Sequence, residues 1–147
     1  MSTTMVKGVN EGTEEKKKTS DLDIVFSVLA YLVRDGTIAR CKNIKGQLQR
    51  VFSAHKDHYL VKDRFYFKPL PISSSLFSKT LDDIIGDLRL TGTYEVVGFE
   101  MDALIHPGIY DYAKLISFRM ELDEEGHKFL EDLSKEIEIK ERYRKVS

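Results

Sequence analysis

"ISSSLFSKTLDDIIGDLRLTG", Ile72 to Gly92, is the stretch on which the fold turns. Phe77, Leu81, Ile84 and Leu88 recur at i, i+4, i+7 and i+11, flanked by Leu76 and Ile85, so one face of a helix is apolar. Ser73 or Ser74 is placed to cap that helix, and Gly92 to end it. The opposite face carries Ser75, Ser78, Lys79, Asp82, Asp83, Gly86 and Arg89. If another helix precedes it in a helix-turn-helix, this is the face turned toward a partner.

Upstream, Ser20 caps a first helix in which Leu22, Phe26, Leu29 and Val33 form the apolar stripe and Asp35-Gly36 the stop. A short "TIAR" link leads to a second helix within "CKNIKGQLQRVFSAH", with Ile44, Leu48, Val51 and Phe52 inward. Lys42, Gly46, Gln49 and Ser53 fall opposite, with Lys45 and Arg50 on the flanks. From Ile38 to Ala54 the charges are all basic, Arg40, Lys42, Lys45 and Arg50, joined by the amides of Gln47 and Gln49. "YLVKDRFYFKPLP" then reads as a short extended connector stiffened by Pro69 and Pro71.

Downstream, "TGTYEVVGFE" and "YAKLISFRMEL" both look like strands, the second alternating Ile116, Phe118, Met120 and Leu122. "MDALIHPGIYD" between them is the expected hairpin tip, offering Met101, Leu104, Ile105, Ile109 and Tyr110. A closing helix from about residue 123 starts under Asp123 and turns Phe129, Leu130, Leu133 and Ile137 to one side. Residues 1–20, with Lys16 to Lys18 almost balanced by Glu11, Glu14 and Glu15, lack the apolar side chains to order themselves and read as a disordered tail. Residues 21–147 are then a single domain.

The composition agrees with one core, at 147 residues and 41% hydrophobic. A formal charge of -1 excludes a global basic field, so any nucleic-acid contact must be local. One cysteine, Cys41, rules out an internal disulfide framework, and no run approaches the roughly 20 apolar residues of a membrane span. A cytoplasmic protein without a leader is expected.

Two helices, a connector, a third helix, a hairpin and a closing helix are the order of an α+β winged helix-turn-helix. "FYFKPLPISSSLFSKTLDDIIGDLRLTGTYEV" resembles the segment of such proteins that runs from an extended aromatic strand through the third helix into the wing. "FRMELDEEGHKFLEDL" is similar to the "L-T-x-x-G-x-x-F-L-x-x-L" ending of MarR/PadR-type regulators, with Leu122, Gly126, Phe129, Leu130 and Leu133 at its positions. There is also a likeness to small prokaryotic proteins of the YwgA and Panacea type, whose "Y-G-P-x-S" is replaced by Lys68-Pro69-Leu70-Pro71-Ile72-Ser73. The first resemblance implies regulation through DNA, and the Panacea likeness implies toxin neutralisation through protein contacts. Both rest on core and cap residues and therefore speak mainly of fold.

Duplex DNA is the first expected partner, held by Arg40, Lys42, Lys45, Gln49 and Arg50 of the second helix with Lys79 and Arg89 of the third. Self-association through the first and terminal helices is expected beside it. Against a base-reading role, Ser73 to Leu90 holds two basic and three acidic residues, and the expected tip has no lysine or arginine. The alternative is a protein-binding winged helix that uses Asp82, Asp83, Gly86, Leu104, Ile105 and Tyr110. Gly46 and Gly86, each near the middle of an outward face, would admit a partner's backbone. Neither catalysis nor a cofactor is expected, because no phosphate loop, nucleophile elbow or carboxylate pair is present. "HKDH", with His55, Asp57 and His58, falls short of the three ligands of a catalytic zinc.

Overall fold

The computed structural model describes residues 19–120 and 122–144; the expected tail up to residue 18, with Lys16 to Lys18, lies outside them, as does Lys145. The elements run α1 (Asp21–Leu32), β1 (Thr37–Cys41), α2 (Ile44–Ala54), β2 (Lys68–Pro69), β3 (Leu76–Phe77), α3 (Lys79–Leu90), β4 (Glu95–Val97), β5 (Asp102–Ile105), α4 (Gly108–Met120), α5 (Glu124–Lys135) and β6 (Glu141–Arg144). This is a mixed α+β architecture. A four-stranded antiparallel sheet has the order β4-β5-β1-β6, and β2 pairs with β3 in a separate two-stranded ribbon.

α1 is the central helix. "IVFSVLA", Ile24 to Ala30, is buried all round because α3, α4 and α5 each pack against it, which is what a helix without a polar face requires. Ser20 caps it as expected, its side chain accepting from the Asp23 amide at 3.0 Å. α5 likewise starts under Asp123, whose Oδ1 accepts from the Gly126 amide at 2.8 Å. The Tyr59 hydroxyl donates to the same oxygen at 3.0 Å and lies so near Gly126 that an added Cβ would come within 2.8 Å of it. Gly126 is thus held by a close approach.

Several expectations are overturned, among them the closing helix, which ends at Lys135 with Ile137 beyond it and gives way to β6. "TIAR" is no link: it opens β1, whose β-branched Thr37 and Ile38 suit a strand paired on both sides. Leu60 and Val61 are buried in turns instead of an extended segment, and only Lys68–Pro69 of the connector pairs. α3 starts not at Ser73 or Ser74 but under Ser78, because Leu76–Phe77 is drawn back along Lys68–Pro69 and the Leu70 amide donates to the Ser75 carbonyl at 2.9 Å.

The largest correction concerns the hairpin. Its second strand is Asp102–Ile105, registered on β1 through Ala39–Ile105, Arg40–Leu104 and Cys41–Ala103. The stretch read as that strand is helix α4, which starts just after Pro107, a residue preorganised for a helix start. Residues 116–120 belong to this helix, so their expected alternation on a sheet face does not arise.

The C-terminal segment is also ordered. Arg142 on β6 donates to the Leu32 carbonyl at 2.8 Å, to Thr37 Oγ1 at 2.9 Å and to Asp35 at 3.3 Å, so a guanidinium satisfies the open end of α1. Lys140 reaches Asp102 at 3.2 Å and Glu100 at 3.4 Å. Asp102, fully buried on β5, also accepts from Arg40 Nε at 2.8 Å, while its Oδ1 meets no protein donor among the described residues. These basic residues hold the sheet to its own hairpin and helix.

The Arg40 guanidinium, with the Lys140 ammonium, holds the Asp102 carboxyl below the ordinary aspartate value of 3.8. A carboxyl depressed in the folded state contributes stability above the unfolded value and loses it as pH falls through the folded one. Asp102→Asn is therefore expected to lower the melting temperature at pH 7, with the gap to wild type closing as pH drops below about 3.8. Melting curves of both proteins across that range measure it.

Candidate functional site

α2 and α3 are locked together by one side chain. Gln49 Nε2 donates to the Ser78 carbonyl at 2.8 Å, and the Ser78 amide donates to Gln49 Oε1 at 2.9 Å. The Ser78 hydroxyl in turn accepts from the Leu81 amide at 3.0 Å, capping α3, and donates to the Phe65 carbonyl. Gln47 does the same on the other flank. Its amide donates to the carbonyls of Lys42 and Glu138 at 2.6 and 3.1 Å, and its oxygen accepts from the Glu138 amide at 2.6 Å.

Both glutamines are therefore buried, and Gln49 is removed from the set of DNA contacts. No helical period in α2 flags this, because the two residues fall on opposite flanks of the apolar stripe. The nearest signal is the pair of unshared amides in a helix otherwise basic outside. Arg40 leaves the set too, since it lies on β1 and its guanidinium is turned to Asp102.

What remains is Lys45 and Arg50 on the outside of α2 and Lys42, which sits in the turn before the Asn43 cap instead of on the helix, all exposed and with no acid between them. Lys45 approaches Asp82 of α3 at 3.8 Å, and Lys79 approaches Asp83 at 3.6 Å. Both pairs are solvent-exposed and exchangeable. Among the described residues Lys42, Arg50 and Arg89 make no ion pair. Gly46 is no landing place for a partner: the Asn43 side chain, accepting from the Gly46 amide at 3.2 Å, occupies the space of a Cβ. Gly86, half-buried on α3, has open space around it.

The hairpin tip differs from the one expected. Leu104 is half-buried and Ile105 fully buried on β5, and Tyr110 is packed beside Tyr31 with ring centroids 6.4 Å apart, so none of the three is a tip residue. The turn is Gly98 to Met101, closed by Gly98 and Met101 at positive φ, 75° and 59°. Phe99 stands fully exposed, at 106% of its reference area, with Met101 at 56%. Glu95 and Glu100 flank them, and the sequence has no lysine or arginine from Tyr94 to Ala113. In the sequence Gly98-Phe99 reads as a strand end, which hides the exposed ring.

The histidines of "HKDH" serve packing. His58 stacks on Phe129 with centroids 3.5 Å apart and planes at 1°, and burial lowers its pKa. His55 Nε2 meets Glu136 at 2.7 Å. Among the described residues no group of three His, Cys, Asp or Glu is arranged to hold a metal ion. Cys41 faces the core, where burial pushes its thiol up to about 11. No helix among the described residues is long and apolar enough to cross a membrane.

Gln49→Leu leaves the Ser78 amide buried and unpaired, and its carbonyl with the Asp82 amide alone, at 3.1 Å. It is expected to destabilise the protein by about 2 kcal/mol or more in urea unfolding, where a surface contact residue would cost little.

Comparison with protein-family models, with curated proteins and with solved structures returns no match for this chain.

Proposed function

We propose that the chain is a winged-helix module that binds another protein, in the manner of an antitoxin or adaptor, through the outer face of α3 and the hairpin tip. The winged-helix reading is supported by the order α1, β1, α2, α3, β4, β5 and by the sheet order β4-β5-β1, which puts the first strand beside the second strand of the hairpin. The observation that carries the protein-binding reading is the tip. A fully exposed phenylalanine beside a methionine, flanked by glutamates, suits an apolar pocket with a basic rim better than a phosphate backbone. The face of α3 continues the same chemistry with Asp82, Asp83 and Asp87 against Lys79 and Arg89.

Duplex DNA is the second reading, favoured by the acid-free outer face of α2. Lys45 and Arg50 there and Lys42 in the turn before it, with Lys79 and Arg89 of α3, would grip phosphates rather than read bases.

Two measurements separate the readings. Protein binding predicts no uptake of mixed-sequence duplex by fluorescence anisotropy at about 50 mM salt. It also predicts that Phe99→Asp with Met101→Asp leaves the melting temperature unchanged while removing a defined partner from affinity captures. Duplex binding that weakens steeply with salt and disappears in Lys42→Ala/Arg50→Ala/Arg89→Ala would overturn it in favour of DNA.

A further inference from the structure

The turn after α2 is clamped to α5 by three side chains. His55 Nε2 meets Glu136 at 2.7 Å, the Tyr59 hydroxyl donates to Asp123 at 3.0 Å, and His58 lies flat on Phe129 with ring centroids 3.5 Å apart. His58 also organises the turn itself. Its carbonyl accepts from the Val61 and Lys62 amides at 2.8 and 2.7 Å, and its Nδ1 accepts from the Leu60 amide at 3.1 Å. Among the described residues that amide has no other acceptor, and Leu60 and Val61 are buried in the core. The connector then runs on to Phe65, whose carbonyl receives the Ser78 hydroxyl at the cap of α3.

Acceptance through Nδ1 fixes the protonation state of the ring. A neutral imidazole with its hydrogen on Nε2 keeps a lone pair for the Leu60 amide, whereas an imidazolium carries a hydrogen on both nitrogens and sets one donor against another. Burial is the strongest influence on the ring and also disfavours the charged form, as does the neighbouring His55. Glu125 and Asp123, at the start of α5, pull the other way, and so does the face of Phe129. The balance holds His58 below the ordinary histidine value of 6.5.

We infer that His58 is an acid-sensitive latch between α5 and the connector that follows α2: the neutral ring holds the Leu60 amide and keeps the turn closed, and protonation opens the turn while the helices stay folded. A base whose value is depressed in the folded state contributes stability that is whole above the unfolded value and lost as pH falls through the folded one. The latch therefore weakens below 6.5. It stands independently of what α3 and the hairpin tip bind.

Nuclear magnetic resonance of the full chain from about pH 7.5 to about pH 5 tests it. Side-chain nitrogen spectra are expected to show His58 as the Nε2–H tautomer, titrating below 6.5. Over the same range the hydrogen-exchange protection of the Leu60 amide, corrected for the intrinsic rate, is expected to drop severalfold while the amides of α1 hold theirs. In His58→Asn, whose side-chain oxygen takes the place of Nδ1 without titrating, that protection is expected to stay level. An Nδ1–H tautomer, titration at or above 6.5, or level protection in the wild type overturns the inference, as does an undiminished drop in His58→Asn.

Discussion

The two hydrogen bonds between the Gln49 amide and the backbone of Ser78 set the geometry of the surface this protein presents. Ser78 is at once the cap of α3, the residue after the β2–β3 ribbon and a donor to Phe65, so the position of one side chain fixes helix, ribbon and connector together. The amide is the right group for this task, because it supplies one donor and one acceptor in a plane and meets a peptide unit with both. An apolar residue of similar size would fill the space and strand the Ser78 amide, leaving the carbonyl to the Asp82 amide alone. Gln47 repeats the arrangement toward Glu138, and α2 is thereby tied on both flanks while its third side stays in water.

A second constraint comes from the sheet. β1 is paired on both edges, and charge adds to its ladders: Arg40 and Lys140 meet Asp102 of β5, and Arg142 of β6 meets the end of α1. Basic residues that in sequence look available to phosphate are consumed in this way. The cationic surface that survives is a short strip on α2, and the surfaces left acidic or apolar are α3, the hairpin tip and the outside of α4.

Much of the architecture was legible. The caps at Ser20 and Asp123, the stop at Gly92, the apolar stripe of α2, those of α3 without Phe77 and of α5 without Ile137, and the strand at Glu95–Val97 follow from local chemistry that tertiary structure did not override. What misled was local pattern without its partner. The alternation from Ile116 to Leu122 mimics a strand, but β1 already has its neighbour in Asp102–Ile105, and Pro107-Gly108 opens a helix instead. Three serines before Leu76 offer caps as good as Ser78 by composition, and only the pairing of Leu76–Phe77 with Lys68–Pro69 selects among them. For the candidate site, exposure of Lys42, Lys45, Arg50, Lys79 and Arg89 was readable, whereas the burial of Gln49 and the capture of Arg40 depend on contacts 29 and 62 residues away.

The pairing of β6 with β1 also has a bearing on how the molecule is made. β1 stays an open edge, with half of its backbone groups unpaired, until the chain has been synthesised as far as Arg144. Until then α1 lacks the guanidinium at its end, and Asp102 has Arg40 without Lys140. A nascent chain released early would carry an unprotected strand beside a buried carboxylate with one cation too few, the kind of edge on which unfinished proteins associate. Completion of the sheet by β6 thus works as a seal that closes only once the chain has passed Arg144.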